Sequence, residues 1–214
     1  MEKYIAYDAD WQTPAKTEQY VYECLKESEV RLEGAVYVAF PWASLIDGLA
    51  RDTDLGHRLL HEYEKIVLQL KYITAKRVVS VCQHIKFRDY AHLFQRAGIT
   101  DLFVSHKEKK QTNLGAINLY ALQLFPVQAS TEVKENLCIP NQNTNWIDRE
   151  FLYSFVGAYD GRYYLTNSRQ NIFDYLSDKG GLITERTSWH YQARVYDEQV
   201  YGRELSAEYL TEEQ

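Results

Sequence analysis

The sequence has little of what usually announces a function. Its three cysteines, Cys24, Cys82 and Cys138, are odd in number and far apart. Neither a disulfide framework nor a CxxC metal site fits that spacing. They read as buried core thiols in a reducing compartment, which makes the cytosol the expected setting. No run of about 18 apolar residues occurs, so no membrane span is expected. The opening Met1-Glu2-Lys3-Tyr4 forms no apolar leader, and no Asn-x-Ser/Thr sequon is present. Basic residues cluster only at Lys107, Lys109 and Lys110, and 30 acidic side chains against 24 basic ones leave a formal charge of -6. Non-specific nucleic-acid binding needs a dense basic face, so nucleic acid is not an expected partner. Also missing are a GxGxxG fingerprint, a P-loop, a GxSxG elbow, an HExxH helix and the kinase motif set.

What is present is an ordinary globular balance: 214 residues, 45% apolar and 25% charged. A chain this long buries a core without metal or disulfide staples, as one large domain or two small ones. After Pro14, Tyr20, Val21, Cys24 and Leu25 mark one face of a helix. Val36 to Phe40 is a β-rich apolar run stopped by Pro41. Leu59, Leu60, Tyr63, Ile66, Val67, Leu70 and Ile73 recur at helical spacing. Arg77 to Gln83 reads as a second strand. Phe87, Tyr90, Ala91, Phe94 and Ala97 form another helical stripe closed by Gly98. Asp101 to Ser105 and Leu119 to Phe125 are further strands. Strands alternating with amphipathic helices predict an α/β fold with a Rossmann-like parallel sheet flanked by helices.

Between Ala129 and Asp148 the composition turns polar, with Asn141, Gln142, Asn143, Thr144 and Asn145 after Pro140. That stretch reads as a linker between a domain over residues 1–145 and a shorter one over 150–214. The second begins with a strand from Phe151 to Val156 and Gly157. A helix from about Ser168 to Leu176 follows, then a Lys179-Gly180-Gly181 turn, a strand from Leu182 to Glu185, and a polar, partly helical close from Arg194 to Gln214.

Ligands of open parallel sheets bind beyond the carboxyl ends of the strands. The residues just past each predicted strand are therefore the candidates: Trp42-Ala43-Ser44, Gln83-His84, Ser105-His106, Gly157-Ala158 and Arg186. His84 lies between an apolar strand and a helix whose first turn carries Arg88 and Asp89. An imidazole there can take a proton from a hydroxyl, or it can hold the turn by bonding a backbone carbonyl. His106 has the same two readings. Gly157 admits a ligand close to the backbone, and the helix carrying Ser168 and Arg169 would turn its N-terminus to a phosphate; the plainer alternative is a tight turn. Asp8-Ala9-Asp10 matches a bare DxD metal-nucleotide pattern but follows no long strand, so it reads as a solvated turn. His57 and His61 are spaced i, i+4 with no third ligand. They read as solvated histidines, and no metal or other cofactor is expected. Eighteen tyrosines and four tryptophans offer flat faces that suit sugar rings and protein cores equally.

Three stretches resemble the exostosin-like family of glycosyltransferases. They are Phe40-Pro41-Trp42-Ala43-Ser44-Leu45-Ile46-Asp47; Val81-Cys82-Gln83-His84-Ile85 with Gly98-Ile99-Thr100-Asp101-Leu102-Phe103-Val104-Ser105-His106 after it; and Tyr153-Ser154-Phe155-Val156-Gly157-Ala158-Tyr159 with Arg169. The resemblance implies a GT-B-type enzyme with two Rossmann-like domains, inverting transfer and no obligatory metal. Residues up to about Asn145 would form the acceptor side, and those from Glu150 the opening of the donor side. It implies a nucleotide-sugar donor and a glycan acceptor as partners. His84, Asp89 or His106 would serve as base, Trp42, Ser44, Gln83 and Arg88 would hold the acceptor, and Gly157, Ala158, Arg169 and Arg186 the donor. The family's Cys-Pro-Arg-Gly-like segment, with the Glu-containing helix and strand behind it, has no counterpart here. Two expectations follow. One is a sugar transferase, whole or partial; the other is a non-catalytic module that binds glycan or pairs with a second chain supplying the donor half. Apart from the resemblance, an unrelated α/β protein sharing only the strand pattern would bind neither sugar nor nucleotide.

Overall fold

A computed structural model describes residues 4–13, 15–28, 32–125, 151–158, 166–176 and 180–186. They fall in two compact units, one within residues 1–129 and one within 130–194. The expected linker, the closing segment and Cys138 lie outside the described residues.

The first unit is an α/β sandwich. In chain order it comprises β1 (Tyr4–Ala6), α1 (Thr17–Glu27), β2 (Ala35–Ala39), α2 (Trp42–Ala50) and α3 (Asp54–Leu70). These are followed by β3 (Arg77–Cys82), α4 (Ala91–Arg96), β4 (Asp101–Val104), β5 (Asn113–Leu114) and β6 (Ile117–Ala121). The sheet order is β1-β2-β3-β4-β6-β5. All neighbours are parallel except the short β5–β6 hairpin at one edge. The predicted Rossmann-like parallel sheet with flanking helices is therefore the observed architecture.

Alternation along β2 shows how the layers form. Val36, Val38 and Phe40 point into a core shared with α2, α3 and α4, whereas Tyr37 and Ala39 meet Tyr22 of α1 on the opposite face. The steps β1→β2 and β2→β3 run in one direction across the sheet, yet their helices cover opposite faces. The two crossovers must then be of opposite hand, so one is the uncommon left-handed kind. At the carboxyl ends of β1 and β2 the chain therefore leaves toward opposite faces of the sheet, the position where a crevice forms in such folds.

Several expectations are corrected here. Trp42-Ala43-Ser44 is not a loop but the first turn of α2, a helix missed in the sequence because Trp42 to Gly48 are all buried. Such a run has no polar face to reveal a helical period. Gly48 and Gly56 let α2 and α3 touch: a Cβ built on Gly48 would lie 2.5 Å from Cα of Gly56. The stripe from Phe87 to Ala97 holds only one short helix, and residues 85–90 are turns. Its end follows expectation: Gly98 has φ +68, with Gly98 N–H to Gln95 O and Ile99 N–H to Phe94 O both at 3.0 Å, a Schellman closure. The strand expected from Leu119 begins at Ile117 and ends at Ala121, and the β5 partner before it was not foreseen. On α1 the buried side chains are Thr17, Glu18 and Tyr22, while Tyr20 and Cys24 face solvent. Cys24 is thus no core thiol; Cys82 is buried.

The second unit contains β7 (Ser154–Ala158), α5 (Ser168–Leu176) and β8 (Leu182–Arg186), with β7 and β8 parallel. Gly157 therefore lies inside a strand, not in a turn after it. Among the described residues no helix is long and apolar enough to cross a membrane.

Candidate functional site

The crevice position of the first unit is filled by its own polar side chains. Gln12, Glu18, Asp47, Gln83 and His84 are all buried and form one network. Gln83 Nε2 donates to the Ala15 carbonyl at 2.7 Å and to Gln12 Oε1 at 3.2 Å. Gln12 Nε2 donates to Asp47 Oδ2 at 2.6 Å. Lys86 N–H donates to His84 Nδ1 at 3.1 Å. That nitrogen is therefore unprotonated, and the proton sits on Nε2, which faces Asp47 Oδ1 at 3.1 Å. Both ring nitrogens of His84 are spent inside the fold.

Glu18 closes the crevice from α1. Its Oε1 accepts the Gln83 N–H at 2.9 Å, and both carboxyl oxygens share the Ala43 N–H at 3.2 Å. Ala43 sits in the first turn of α2, where amides lack intrahelical acceptors. A carboxyl from another helix thus caps α2. Burial drives the Glu18 pKa up to about 8, against the lowering pull of the Gln83 and Ala43 amides and the Cys82 thiol; the nearby Asp47 charge adds to the rise. Burial, and then the Glu18 carboxyl beside it, hold the Cys82 thiol well above its ordinary range.

Outside this network lies a more open rim at the ends of β3 and β4. Arg88 Nε donates to Gln111 Oε1 at 2.8 Å and Nη2 to the His106 carbonyl at 3.2 Å. Nη2 also pairs with Glu108 Oε1 at 3.0 Å, and the guanidinium lies 4.8 Å from the Phe87 ring centroid. His106 is half-buried, and no hydrogen bond engages its ring among the described residues. Desolvation first, then the neighbouring His84 and Arg88, lower its pKa. The adjoining Ser105 Oγ is buried without a partner among the described residues. Asp89 is exposed.

Parallel β3 and β4 thus bring Gln83, His84, Arg88, Asp89 and His106 to one edge of the sheet. Two acceptor candidates are core residues instead. Trp42 is fully buried, donates Nε1–H to Ser80 Oγ at 2.8 Å and packs on Phe40, Tyr63 and Phe94. Ser44 is buried with its Oγ on the Asp10 carbonyl at 2.7 Å, and neither side chain presents a surface to a ligand. The Asp8-Ala9-Asp10 turn is more than solvated. Asp10 (φ +56) takes a two-pronged contact from Arg58 at 2.6 and 3.0 Å and the Tyr7 hydroxyl at 2.6 Å. The Arg58 contact is the largest influence keeping its pKa low, and the Tyr7 hydroxyl adds to it. His57 and His61 are exposed, with His57 against Asp52 at 2.8 Å. Among the described residues, no group of three or more His, Cys, Asp or Glu side chains could hold a metal ion.

In the second unit the donor candidates converge. Arg169 Nη1 donates to the Ala158 carbonyl at 2.9 Å and lies 5.8 Å from the Phe155 ring centroid. A Cβ on Gly157 would come within 3.3 Å of that guanidinium. Arg186 is the register partner of Ala158 on β8. All four positions thus share the carboxyl end of β7 and β8, beside the start of α5.

Glu18, Gln12 and Asp47 escaped sequence reasoning. An acid in the first turn of a helix is what any solvated helix shows; only the lone Asp47 within the apolar Phe40-to-Leu49 run was a usable signal. In comparisons with protein-family models, curated proteins and solved structures, nothing matches the chain.

Proposed function

We propose that this chain is the sugar-handling part of an exostosin-like glycosyltransferase. In this reading the first unit receives a glycan acceptor and the second engages a nucleotide-sugar. The observation that carries it is the rim where the neighbouring parallel strands β3 and β4 end: Asp89 and the half-buried His106 stand outside the buried network there, with Arg88 bridging the two turns. Such an edge, polar and set above a rigid sheet, is where α/β folds take small polar ligands. On the donor side, Arg169 and the α5 amides suit a diphosphate, whose developing charge they would stabilise. A cytosolic setting belongs to the same proposal.

A second reading is a glycan-binding module without transfer, paired with another chain that completes the donor pocket. The burial of Trp42 and Ser44 and the double engagement of His84 favour it, because they thin the set of groups free to act on substrate. Calorimetric titration with UDP, GDP and hexose oligosaccharides separates the two. Saturable nucleotide binding at Kd below about 1 mM supports the transferase. Glycan binding alone supports the module. Silence toward all three ligand types refutes both.

A further inference from the structure

We propose that Arg88 is the positioning residue of this rim, clamping the turn after β4 so that His106, not His84, is the imidazole open to a sugar hydroxyl. The inference rests on the transfer reading above and assigns its proton acceptor.

Arg88 spends its guanidinium on the protein. It holds the side chain of Gln111, the carbonyl of His106 and the carboxylate of Glu108, all in the turn that follows β4. Its own base is fixed because the neighbouring Phe87 is fully buried. The turn after β3 thereby grips the turn after β4 at three points, and a planar guanidinium fork does this better than an ammonium. His84 lies next to this clamp but has no nitrogen to offer: Lys86 N–H occupies one and Asp47 the other. His106 keeps its ring unengaged among the described residues. Desolvation first, then the neighbouring His84 and Arg88, both from the turn after β3, lower its pKa and so favour the neutral ring. Ser105 Oγ beside it is buried and unpartnered among the described residues. On the transfer reading, the acceptor O–H gives its proton to a His106 nitrogen. The oxygen bonds the anomeric carbon, and the electron pair of the breaking bond leaves with the nucleotide diphosphate.

The test is diethyl pyrocarbonate modification of the full chain between pH 5.5 and 8. The reagent acylates a neutral, unengaged imidazole nitrogen, and peptide mass spectrometry assigns the site. His106 should react at least roughly tenfold faster than His84, which reacts only through local opening. Arg88→Gln removes a positive neighbour, so the His106 reactivity midpoint should move to higher pH. Arg88→Lys keeps the charge but loses the fork, so it should change the rate without moving the midpoint. A merely structural Arg88 would instead raise His84 and His106 reactivity together. The clamp is refuted if His84 is the faster ring, or if Arg88→Gln leaves the His106 profile unchanged. If the reactivity pattern holds while UDP, GDP and oligosaccharides all fail to bind, the sugar reading falls and the clamp stands.

Discussion

Glu18 offers the sharpest test of the network, because removing its charge while keeping its shape should make the fold less sensitive to alkali. In the folded chain its pKa stands at about 8, against an ordinary 4.5. A folded value above the unfolded one means that the stabilising contribution is complete below pH 4.5. It is lost as pH rises to about 8, where the buried carboxyl must ionise. At about 1.4 kcal/mol per unit, the full effect is on the order of 5 kcal/mol; partial relaxation around the new charge makes about 3–5 kcal/mol the working range. Glu18→Gln is nearly isosteric. Its carbonyl oxygen can keep both the Gln83 and Ala43 amides, and its NH2 can face the Cys82 sulfur. Urea unfolding at stepped pH, read by Trp11 and Trp42 fluorescence in a Trp146→Phe/Trp189→Phe background, measures both proteins. The wild type should lose several kcal/mol between pH 5 and 9 relative to Glu18→Gln, and the variant should be the more stable at pH 9. Parallel curves, or a variant weaker at pH 9, would refute the reasoning, since the amide bonds would then be carrying an ionised carboxylate at no net cost.

At the other end of the sheet, Asp101 is held ionised first by Arg77 and further by Thr100, Tyr120 and Asn118. Its depressed pKa gives stability that is present above about pH 4 and lost on acidification. Asp101→Asn should cost about 2 kcal/mol at pH 7 and flatten the acid limb of the stability profile, measured by the same urea series. Gly56→Ala would drive a methyl to within 2.4 Å of the Gly48 carbonyl carbon. Separating α2 from α3 should lower stability by about 1–3 kcal/mol, whereas Ala at an ordinary helical position gains stability over Gly. Trp42→Phe should cost about 2–3 kcal/mol through lost packing and leave any sugar affinity unchanged; a selective loss of affinity would return Trp42 to the binding surface.

Six of the strands were legible as short apolar runs, β2 with the breaker Pro41 close behind it, whereas β1 and β5, of three and two residues, are too short to show a pattern. The long α3 was legible because a polar face makes its period visible. What hid was α2, whose burial all round erases that period, and the turned segment before α4, where Phe87 packs like a helical residue without being in a helix. The rim followed from topology alone: parallel neighbours must end on the same edge, so Gln83-His84 and Ser105-His106 had to meet. Burial did not follow from topology. Glu18, Gln12 and Asp47 come from the ends of α1, the loop before it and α2, and only the crossing of those elements makes them neighbours.

That meeting gives the two rim histidines opposite thermodynamic characters, which a pair of truncations can read. Removing the His84 ring leaves the buried Asp47 carboxylate without one donor and the Lys86 amide without its acceptor. Buried polar groups stripped of partners cost about 1–3 kcal/mol each, so His84→Ala should lose about 2–4 kcal/mol of stability. The His106 ring serves no internal bond among the described residues, and His106→Ala should change stability by less than about 0.5 kcal/mol. Loss of activity in His84→Ala would therefore report on folding as much as on chemistry. Loss in a fully folded His106→Ala would report on chemistry alone. Should the costs come out reversed, with His106 the expensive ring, the division of the rim into a structural histidine and a working one is wrong, and proton acceptance must be sought at Asp89.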